Sequence, residues 1–351
     1  MAKISNTIHE DAAWIAARMG NLLEAFDGGT ILLTGAAGFL GSYLLDVLAD
    51  WNLSRARPAR ILALDNHLVG LPERVAHLQG RPDIVFLAHD MRQPFEPGEP
   101  VHFILHCAGV ASPIFYRRFP LETIDVNVSG TRHLLELCRT QPVRAMLHLS
   151  TSEIYGDPTA DAIPTREDYR GLVSCTGPRA CYDESKRLSE TLAAIYHQKY
   201  GAPVKVGRPF NVYGPGQRID DRRIIPDLMQ AVVEEKPLVL LSDGKATRSF
   251  CYQRDAAWAM LLILLEGKVG EAYNLGNDRE EVTMRQVAET LIEATTYPHP
   301  LRFERSEDPH YLSDNPQRRC PDLGRIKALG YEPQVMLREG LLRTLTSYRE
   351  A

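Results

Sequence analysis

Apolar residues along the chain follow two different periods. In residues 1–29 they recur at spacings of one, three and four positions, at Trp14, Ile15, Met19, Leu22, Leu23 and Phe26. This period is typical of one face of a helix, and the sequence Asp27-Gly28-Gly29 would end it. The pattern predicts an appended N-terminal helix over 1–29 that packs on the body of the protein or on a partner subunit.

From residue 31 onwards, short apolar runs alternate with amphipathic stretches. The runs are 31–35, 60–65, 84–90, 102–109, 145–150 and 204–210, and helices are predicted up to about Asp50, around 120–140 and from about Tyr182 to Tyr200. Uninterrupted apolar runs suit strands that are buried on both faces of a parallel sheet, with the helices as crossovers. The pattern therefore predicts an α/β fold, a doubly wound parallel sheet of the Rossmann type with a smaller C-terminal lobe.

The second half of the chain is less regular. Helical periodicity returns near 222–236, 255–266 and 283–295 and after Leu337. No internal repeat or low-complexity linker separates two units. We therefore predict an NAD-binding domain over 30–210 with a later return near 246–277, and a substrate-binding lobe formed mainly by 211–351.

Composition and charge narrow the class of protein. Of 351 residues, 44% are hydrophobic and 24% are charged, and the formal net charge is −5. This profile is that of an ordinary globular protein, and the even spread of charge favours a small-molecule partner over nucleic acid or an anionic membrane. No stretch approaches the roughly 18 apolar residues of a membrane span, and early charged residues argue against a signal peptide.

Cysteine spacing gives no sign of a metal site or a disulfide framework. The six cysteines are Cys107, Cys138, Cys175, Cys181, Cys251 and Cys320. They form no C-x-x-C motif and no pairing with histidine at metal-ligand spacing, so we expect no metal. Reduced thiols in a cytoplasmic protein are the simplest interpretation.

A glycine-rich turn follows the first predicted strand and opens a helix. Gly35, Gly38 and Gly41 form a G-x-x-G-x-x-G run. Such glycines suit a tight turn, backbone approach to a pyrophosphate and close helix packing, and the N–H groups of the helix N-terminus favour the anion. The second strand ends in Asp65, whose carboxylate can bind both ribose hydroxyls and would repel a 2′-phosphate, so NAD is favoured over NADP.

Asp90, at the end of the third predicted strand, is a further candidate cofactor residue, which could bind the adenine amino group. The predicted cofactor site comprises Gly35, Gly38, Phe39, Leu40, Gly41, Asp65, Asn66, Asp90, Met91, Ala108 and Pro209, together with Tyr182 and Lys186.

Tyr182 and Lys186 form the one Y-x-x-x-K pair of the chain and lie one turn apart on a predicted helix. Lys186 is expected to lower the pKa of Tyr182, so that a phenolate takes the proton of a substrate hydroxyl while the carbon gives hydride to NAD. The strand at 145–150 leads into Thr151, Ser152 and Glu153, at an edge where open α/β sheets bind ligands. Glu153 could move a proton at a carbon next to the new ketone. Pairing with a nearby arginine is the alternative.

Longer segments resemble a known family. They are LSTSEIYGDP (149–158), EDYRGLVSCTGPRACYDESKRLSE (167–190), RPFNVYGP (208–215), DGKATRSFCYQRD (243–255), NLGN (274–277) and DNPQRRCPDLGRIKALGYEP (314–333). From about Ile31 to Arg349 the chain resembles the extended short-chain dehydrogenases/reductases that act on nucleotide sugars, and most closely the UDP-glucuronate decarboxylases (UDP-xylose synthases).

The resemblance implies roles for individual residues. Catalytic positions correspond to Thr151, Ser152, Glu153, Tyr182 and Lys186, and Arg248 corresponds to the arginine that meets a substrate carboxylate. The substrate site is expected to comprise Ser112, Tyr116, Asn211, Arg218, Arg223 and Arg248. For Arg218 and Arg248, solvated surface charge is the alternative. Three departures border the pocket: Ser185 stands at a usual Gly, Gly109-Val110 at a usual Ser-Pro, and Gly216 at a usual Arg.

The resemblance implies oxidation at C4 of UDP-glucuronate, loss of CO2 and re-reduction to UDP-xylose, or release of the 4-keto intermediate. A nucleotide-sugar 4-epimerase or 4,6-dehydratase would share the same Tyr, Lys and glycine turn, and a non-catalytic NAD-binding regulatory protein is a remote alternative. The family also implies a homodimer in which the Tyr182 helix and the helix near 120–140 form a four-helix bundle. The supporting apolar residues are Leu188, Leu192, Ile195, Leu134, Leu135 and Leu137.

Overall fold

The computed structural model describes residues 5–295, 300–306 and 316–350. The first four residues of the predicted N-terminal helix, and positions 314–315 of the last family-like segment, lie outside the described residues. The strands are β1 (Thr30–Thr34), β2 (Arg60–Asp65), β3 (Ile84–Ala88), β4 (Phe103–His106), β5 (Ala145–Leu149), β6 (Val204–Pro209), β7 (Val212–Tyr213), β8 (Leu238–Leu240), β9 (Thr247–Arg248), β10 (Cys251–Tyr252), β11 (Ala272–Leu275), β12 (Val282–Thr283), β13 (Leu301–Phe303) and β14 (Arg318–Arg319).

The α-helices are α1 (Asn6–Met19), α2 (Phe39–Asn52), α3 (Pro113–Arg118), α4 (Pro120–Asp125), α5 (Thr131–Thr140), α6 (Ala180–Tyr200), α7 (Ile224–Val233), α8 (Gln253–Glu266), α9 (Met284–Thr295), α10 (Gly324–Lys327) and α11 (Leu337–Glu350). Shorter 3₁₀ segments span Gly20–Phe26, Pro72–Leu78, Ser152–Tyr155 and Ala160–Ala162, and a π-helical turn, Val126–Gly130, joins α4 to α5. Among the helices described here, none is long and apolar enough to cross a membrane.

A seven-stranded parallel sheet forms the centre of the fold. Its strand order is β3-β2-β1-β4-β5-β6-β11. Successive side chains of a strand point to opposite faces, and accordingly Ile31 and Leu33 join one hydrophobic core whereas Leu32 joins another. The doubly wound Rossmann sheet predicted from the apolar runs is confirmed.

Helices cover both faces of this sheet. Helices α2 and α8 pack on one face, and α4, α5 and α6 lie on the other. The N-terminal helix α1 packs on α2 and α8, with Trp14 edge-on to Trp258 at 5.6 Å between ring centroids. Its buried residues Ile8, Ala12, Ile15 and Met19 recur at helical spacing, so the extension is an outer layer of the body of the protein.

The C-terminal lobe has a hydrophobic core of its own. Helices α7, α9 and α11 surround it with short strands, and buried residues such as Met229, Leu291 and Leu341 fill it. The chain returns to the main sheet between parts of this lobe, because β11 pairs with β6 in parallel. The domain boundaries given above remain a prediction.

The apolar residues expected at a dimer interface divide into two groups. Leu134, Leu135 and Leu137 of α5 are buried in the core against the sheet, so the expectation that they face a symmetry mate is wrong. The exposed apolar side chains of this region belong to α4 and α6, namely Leu121, Ile124, Leu188 and Ile195.

Candidate active site

A cavity of about 1360 Å³ lies between the carboxyl edge of the main sheet and the C-terminal lobe. All the predicted site residues except Asp90 line it. Ten arginines and Lys186 contribute to the lining, against seven carboxylates. A cavity of this size and positive charge suits ligands that carry phosphate and carboxylate groups.

The glycine turn between β1 and α2 forms one wall of the cavity. A Cβ at Gly41 would overlap the carbonyl oxygen of Gly35, so only glycine allows this close approach. Gly38 precedes the first turn of α2, and its carbonyl accepts the Ser42 N–H at 3.0 Å. The first N–H groups of α2 therefore border the cavity, as a pyrophosphate site requires.

Asp65 ends β2 beside this turn. Its Oδ2 accepts the Ala37 N–H at 2.8 Å and its Oδ1 accepts the His67 N–H at 2.7 Å. A carboxylate oxygen can accept more than one hydrogen bond, so this orientation leaves capacity for hydroxyl donors from the cavity. The next residue, Asn66, also lines the cavity, and its Oδ1 accepts the Leu68 N–H.

Asp90 differs from the other predicted cofactor residues because it does not line the cavity. Its carboxylate binds the Arg92 side chain, with Nη2 to Oδ2 at 2.7 Å. This hydrogen bond is the main cause that lowers the pKa of Asp90. The Asp90 carboxylate therefore pairs with Arg92, whereas the neighbouring Met91 lines the cavity.

Tyr182 and Lys186 of α6 are both buried and face the cavity. The Tyr182 ring stacks on Tyr116 with ring centroids 5.3 Å apart, and Thr151 lines the cavity with it. Burial raises the pKa of Tyr182 to about 12, against the lowering effect of Thr151. The expectation that Lys186 lowers this pKa is therefore corrected, because burial is the larger effect.

Lys186 is held by the end of β5. Its Nζ donates to the Leu149 carbonyl at 2.7 Å. Burial lowers the pKa of Lys186 to about 8, so the ammonium titrates close to neutral pH. The Y-x-x-x-K pair thus lies at the carboxyl end of β5, where the sequence placed it.

Glu153 lies at the centre of an arginine cluster. Its two carboxylate oxygens accept hydrogen bonds from Arg179 and Arg319. Burial opposes ionisation, but Arg179, Arg319 and Arg248 together lower the pKa of Glu153 to about 2. Glu153 is therefore a paired carboxylate that stays ionised, and the alternative of an arginine partner is confirmed as a contact.

Arg248 completes this cluster. Its guanidinium donates to the backbone carbonyls of Thr247 and Pro316, each at 2.7 Å. Burial, followed by the charge of Arg319, lowers the pKa of Arg248 to about 10. Because its charge is both buried and repelled by a second guanidinium, an added carboxylate would stabilise it.

The other predicted substrate residues surround the same space. Ser112 and Asn211 each have a buried polar atom, Oγ and Nδ2, without a hydrogen-bond partner in the described part of the chain. Arg223 Nη2 donates to the Ala111 carbonyl at 2.6 Å. Arg218 lies over the Phe115 ring at 5.0 Å and pairs with Asp220.

The structure also brings to the site several residues that were not among those predicted from the sequence. Arg179 precedes Tyr182 by three residues, one helical turn, and this spacing could have revealed it. Arg319 lies 166 residues from Glu153, so no local pattern indicates the contact. Asn127 in the π-helical turn donates from Nδ2 to Ser185 Oγ at 2.9 Å, so the family-departing Ser185 binds a neighbouring element.

Comparison with known proteins assigns the family. The sequence model of the NAD dependent epimerase/dehydratase family matches residues 31–276. The chain belongs to this family. UDP-glucuronic acid decarboxylase 6 of Arabidopsis thaliana is 38% identical over 312 residues, which cover 89% of this chain and 86% of that protein. UDP-glucuronic acid decarboxylase 1 of Xenopus tropicalis is 33% identical over 363 residues, 99% of this chain and 82% of that protein.

Solved structures of other epimerase/dehydratase enzymes share the fold. A dTDP-glucose 4,6-dehydratase from Bacillus anthracis in complex with NAD has a TM-score of 0.76 at 26% identity, covering 92% of this chain and 97% of that chain. A UDP-glucuronic acid 4-epimerase from Bacillus cereus, at 24% identity, has a TM-score of 0.76 and covers 92% and 99%. This epimerase/dehydratase chain is therefore an NAD-dependent enzyme, and its glycine turn and Asp65 fit that cofactor.

Proposed function

We propose that this enzyme is a UDP-glucuronate decarboxylase, the activity that the names of its Arabidopsis and Xenopus relatives give for those proteins, and that its product is UDP-xylose. The observation that carries the proposal is the arginine cluster around Glu153. Among the described residues, Arg179, Arg248 and Arg319 of this cluster line the cavity beside Glu153. Asp183 lies 3.7 Å from Arg179 but outside the lining. A uronate carboxylate could accept charge-assisted hydrogen bonds from these guanidinium groups, whereas a neutral sugar has no group to form them.

The reaction follows from the chemistry of the sugar. Tyr182 takes the proton of the C4 hydroxyl. NAD, when held by the glycine turn and Asp65, would supply the hydride acceptor for C4 and the hydride for the final reduction. The 4-keto sugar is a β-keto acid, so the bond between C5 and the carboxylate breaks, CO2 leaves, and the electron pair forms an enolate. A proton added at C5 and the returned hydride give UDP-xylose.

Each residue then has a distinct part. Tyr182 moves the proton at the C4 oxygen, and Lys186, held at the Leu149 carbonyl, supplies a positive charge one helical turn away. Arg248 binds the carboxylate that leaves. Glu153 is ionised, so we propose that it holds the water that protonates C5. The reaction consumes one proton overall, because a carboxylate is replaced by hydrogen as CO2 departs, and solvent supplies it.

The test is incubation with UDP-glucuronate that carries a labelled carboxyl carbon. We expect labelled CO2 together with UDP-xylose or its 4-keto intermediate, and no CO2 from the matched substrate UDP-glucose. Tyr182→Phe keeps the ring but removes the phenol oxygen, and is expected to abolish turnover while NAD binding persists. Formation of the C4 epimer of UDP-glucuronate without CO2 would assign the enzyme as a 4-epimerase instead.

We further propose a homodimer formed through α4 and α6. These helices pack against each other and carry exposed apolar side chains: Leu121 is 72%, Leu188 48% and Ile195 46% exposed. An apolar surface of this kind favours burial against a second copy. Light scattering at micromolar concentration is expected to give twice the chain mass, and Leu188→Glu with Ile195→Glu is expected to give monomers. A monomeric mass of the unaltered protein would contradict the proposal.

We also propose a cytoplasmic location, supported by thiol chemistry. All six cysteines are free in the structure, as the reducing cytoplasm would keep them. Thiol titration of the protein from its natural source, denatured without added reductant, is expected to give six reduced thiols. Disulfide-linked peptides in the protein from its natural source would contradict this location.

A further inference from the structure

Arg74 and Gly216 meet at the border between the two lobes. Arg74 lies in the 3₁₀ segment Pro72–Leu78 after β2, and Gly216 follows β7 at the start of the C-terminal lobe. A Cβ at Gly216 would overlap the Arg74 guanidinium at Nε, Cζ and Nη2. Gly216 also has φ +78°, which side-chain-bearing residues rarely adopt. The guanidinium therefore occupies space that exists only because residue 216 is glycine.

The same guanidinium is tied to the glycine turn. Arg74 Nη2 donates to Ser42 Oγ at 3.1 Å, and Ser42 lies in the first turn of α2. The start of the Arg74 segment is bound to the turn as well, because Leu71 N–H donates to the Ala37 carbonyl at 3.0 Å. The cation is thus held beside the part of α2 that would receive a pyrophosphate.

Most of the hydrogen-bonding capacity of Arg74 is unused. A guanidinium has five N–H donors, and the bond to Ser42 uses one. The buried Nε has no hydrogen-bond partner within residues 5–295, 300–306 and 316–350, and no ion pair of Arg74 occurs there. Arg74 lines the cavity. A half-buried cation with an unpaired, buried Nε beside a helix N-terminus fits a diphosphate, which presents paired anionic oxygens.

We propose that Arg74 binds the pyrophosphate of NAD and that Gly216 is the paired position that makes room for it. The guanidinium reaches the cavity from the β2 side, and a side chain at residue 216 would have to displace it. The two residues therefore act as one unit, which neither sequence segment reveals alone.

Binding measurements on NAD-free protein test the role of Arg74. Arg74→Ala is expected to weaken ADP-ribose about 10- to 100-fold, the range for loss of a charge-assisted hydrogen bond. Affinity for adenosine, which has no phosphate, and for UDP, which probes the nucleotide-sugar diphosphate, should stay unchanged. Arg60→Ala is the matched control, because Arg60 pairs with Glu99 at the amino end of β2. Unchanged ADP-ribose affinity, or a loss confined to UDP, would overturn the proposal.

A double-mutant cycle tests the pairing with Gly216. Gly216→Ala is expected to weaken ADP-ribose by displacing the guanidinium, but to add little to the loss in the Arg74→Ala background. The strain of alanine at positive φ is present in both backgrounds, so melting temperatures report it separately from binding. Equal fold-losses from Gly216→Ala with and without Arg74 would show that the two residues act independently and would overturn the pairing.

Discussion

Two buried carboxylates, Asp11 and Glu153, have similar partners and opposite surroundings. Asp11 of α1 accepts hydrogen bonds at Oδ2 from the Tyr43 and Tyr252 hydroxyls at 2.7 and 2.8 Å. Its Oδ1 accepts one from Arg343 Nη2 at 2.7 Å. These partners belong to α2, β10 and α11, so Asp11 fastens the N-terminal helix to both lobes.

Glu153 instead opens on the cavity. Its side chain is 19% exposed, whereas that of Asp11 is fully buried. Burial raises the pKa of Asp11 despite its donors, while the arginines lower that of Glu153 to about 2. A buried acid among arginines is therefore not a sign of function by itself. What distinguishes Glu153 is that it lines the cavity, where a ligand can reach it together with Arg179, Arg248 and Arg319.

The largest expected effect is on catalysis at Glu153. Glu153→Gln keeps the shape and one acceptor oxygen but removes the negative charge that holds the water for C5, so turnover should fall about 100-fold or more. NADH or a 4-keto sugar should accumulate, because oxidation at C4 precedes the step that Glu153 assists. Absorbance of NADH in a single-turnover reaction checks this. Turnover within about twofold of the unaltered enzyme would place Glu153 with Asp11 as a structural acid.

The corresponding change from acid to amide at Asp11 should affect stability alone. Asp11→Asn removes the charge that Arg343 and two hydroxyls bind, and should lower the free energy of unfolding by about 2–3 kcal/mol. Turnover per folded molecule should stay within about twofold. Urea unfolding with steady-state kinetics checks both, and Tyr43→Phe, which removes a single donor, is a smaller control at about 1 kcal/mol. A large loss of turnover at full folding would show that α1 acts on the site.

The place of Glu153 could be predicted from the sequence and the role of Asp11 could not, for a physical reason. Glu153 follows a strand end directly, and strand ends can be predicted from apolar runs, so its place in the site could be predicted. The apolar period of α1 predicted its helix but not the role of Asp11, because its partners lie 32, 241 and 332 residues away. The sheet and the glycine turn could be predicted because their signals are local in the sequence. The arginine cluster could not be predicted, because its contacts join segments that are far apart in the sequence.

Expectations about energetics were harder to derive than expectations about position. Tyr182, Lys186 and Glu153 all reach the cavity as expected. The effect of Lys186 on the pKa of Tyr182 was misjudged because the sequence does not show how deeply the phenol is buried. Similarly, the leucines of α5 have helical spacing, which does not tell whether the sheet or a second subunit covers them.

Loss of an arginine beside Glu153 and loss of one beside Asp11 should also have different consequences. The expected effect on turnover is smaller than that of Glu153→Gln. Arg248→Ala should lower turnover of UDP-glucuronate about 10-fold, since one charge-assisted contact to the carboxylate is lost, and leave UDP affinity unchanged. Arg343→Ala is the matched loss of a cation at Asp11 and should lower stability without changing turnover. Turnover with UDP-glucuronate and binding of UDP measure the split. Equal losses for both ligands after Arg248→Ala would contradict a carboxylate contact.

The smallest expected effect is on the pH dependence of stability, which should have opposite signs for Glu153 and Asp11. This difference in sign is the sharpest test of the comparison. Glu153 has its pKa lowered from 4.5 to about 2 on folding, so the stability from its ionisation is present above pH 4.5 and is lost as the pH falls toward 2. Burial raises the pKa of Asp11 above 3.8, so its contribution is present below pH 3.8 and is lost as the pH rises through the raised value.

The stability gap between the unaltered protein and Glu153→Gln should therefore be smaller at about pH 4 than at about pH 6, while the gap to Asp11→Asn should be larger at the lower pH. Urea unfolding of the three proteins at both pH values measures the two gaps under identical conditions, so titration of all other groups cancels. Burial outweighs the donors at Asp11 and disfavours its ion, whereas the arginines around Glu153 outweigh burial and favour the ion. Gaps that move in the same direction would show that the two carboxylates share one electrostatic environment.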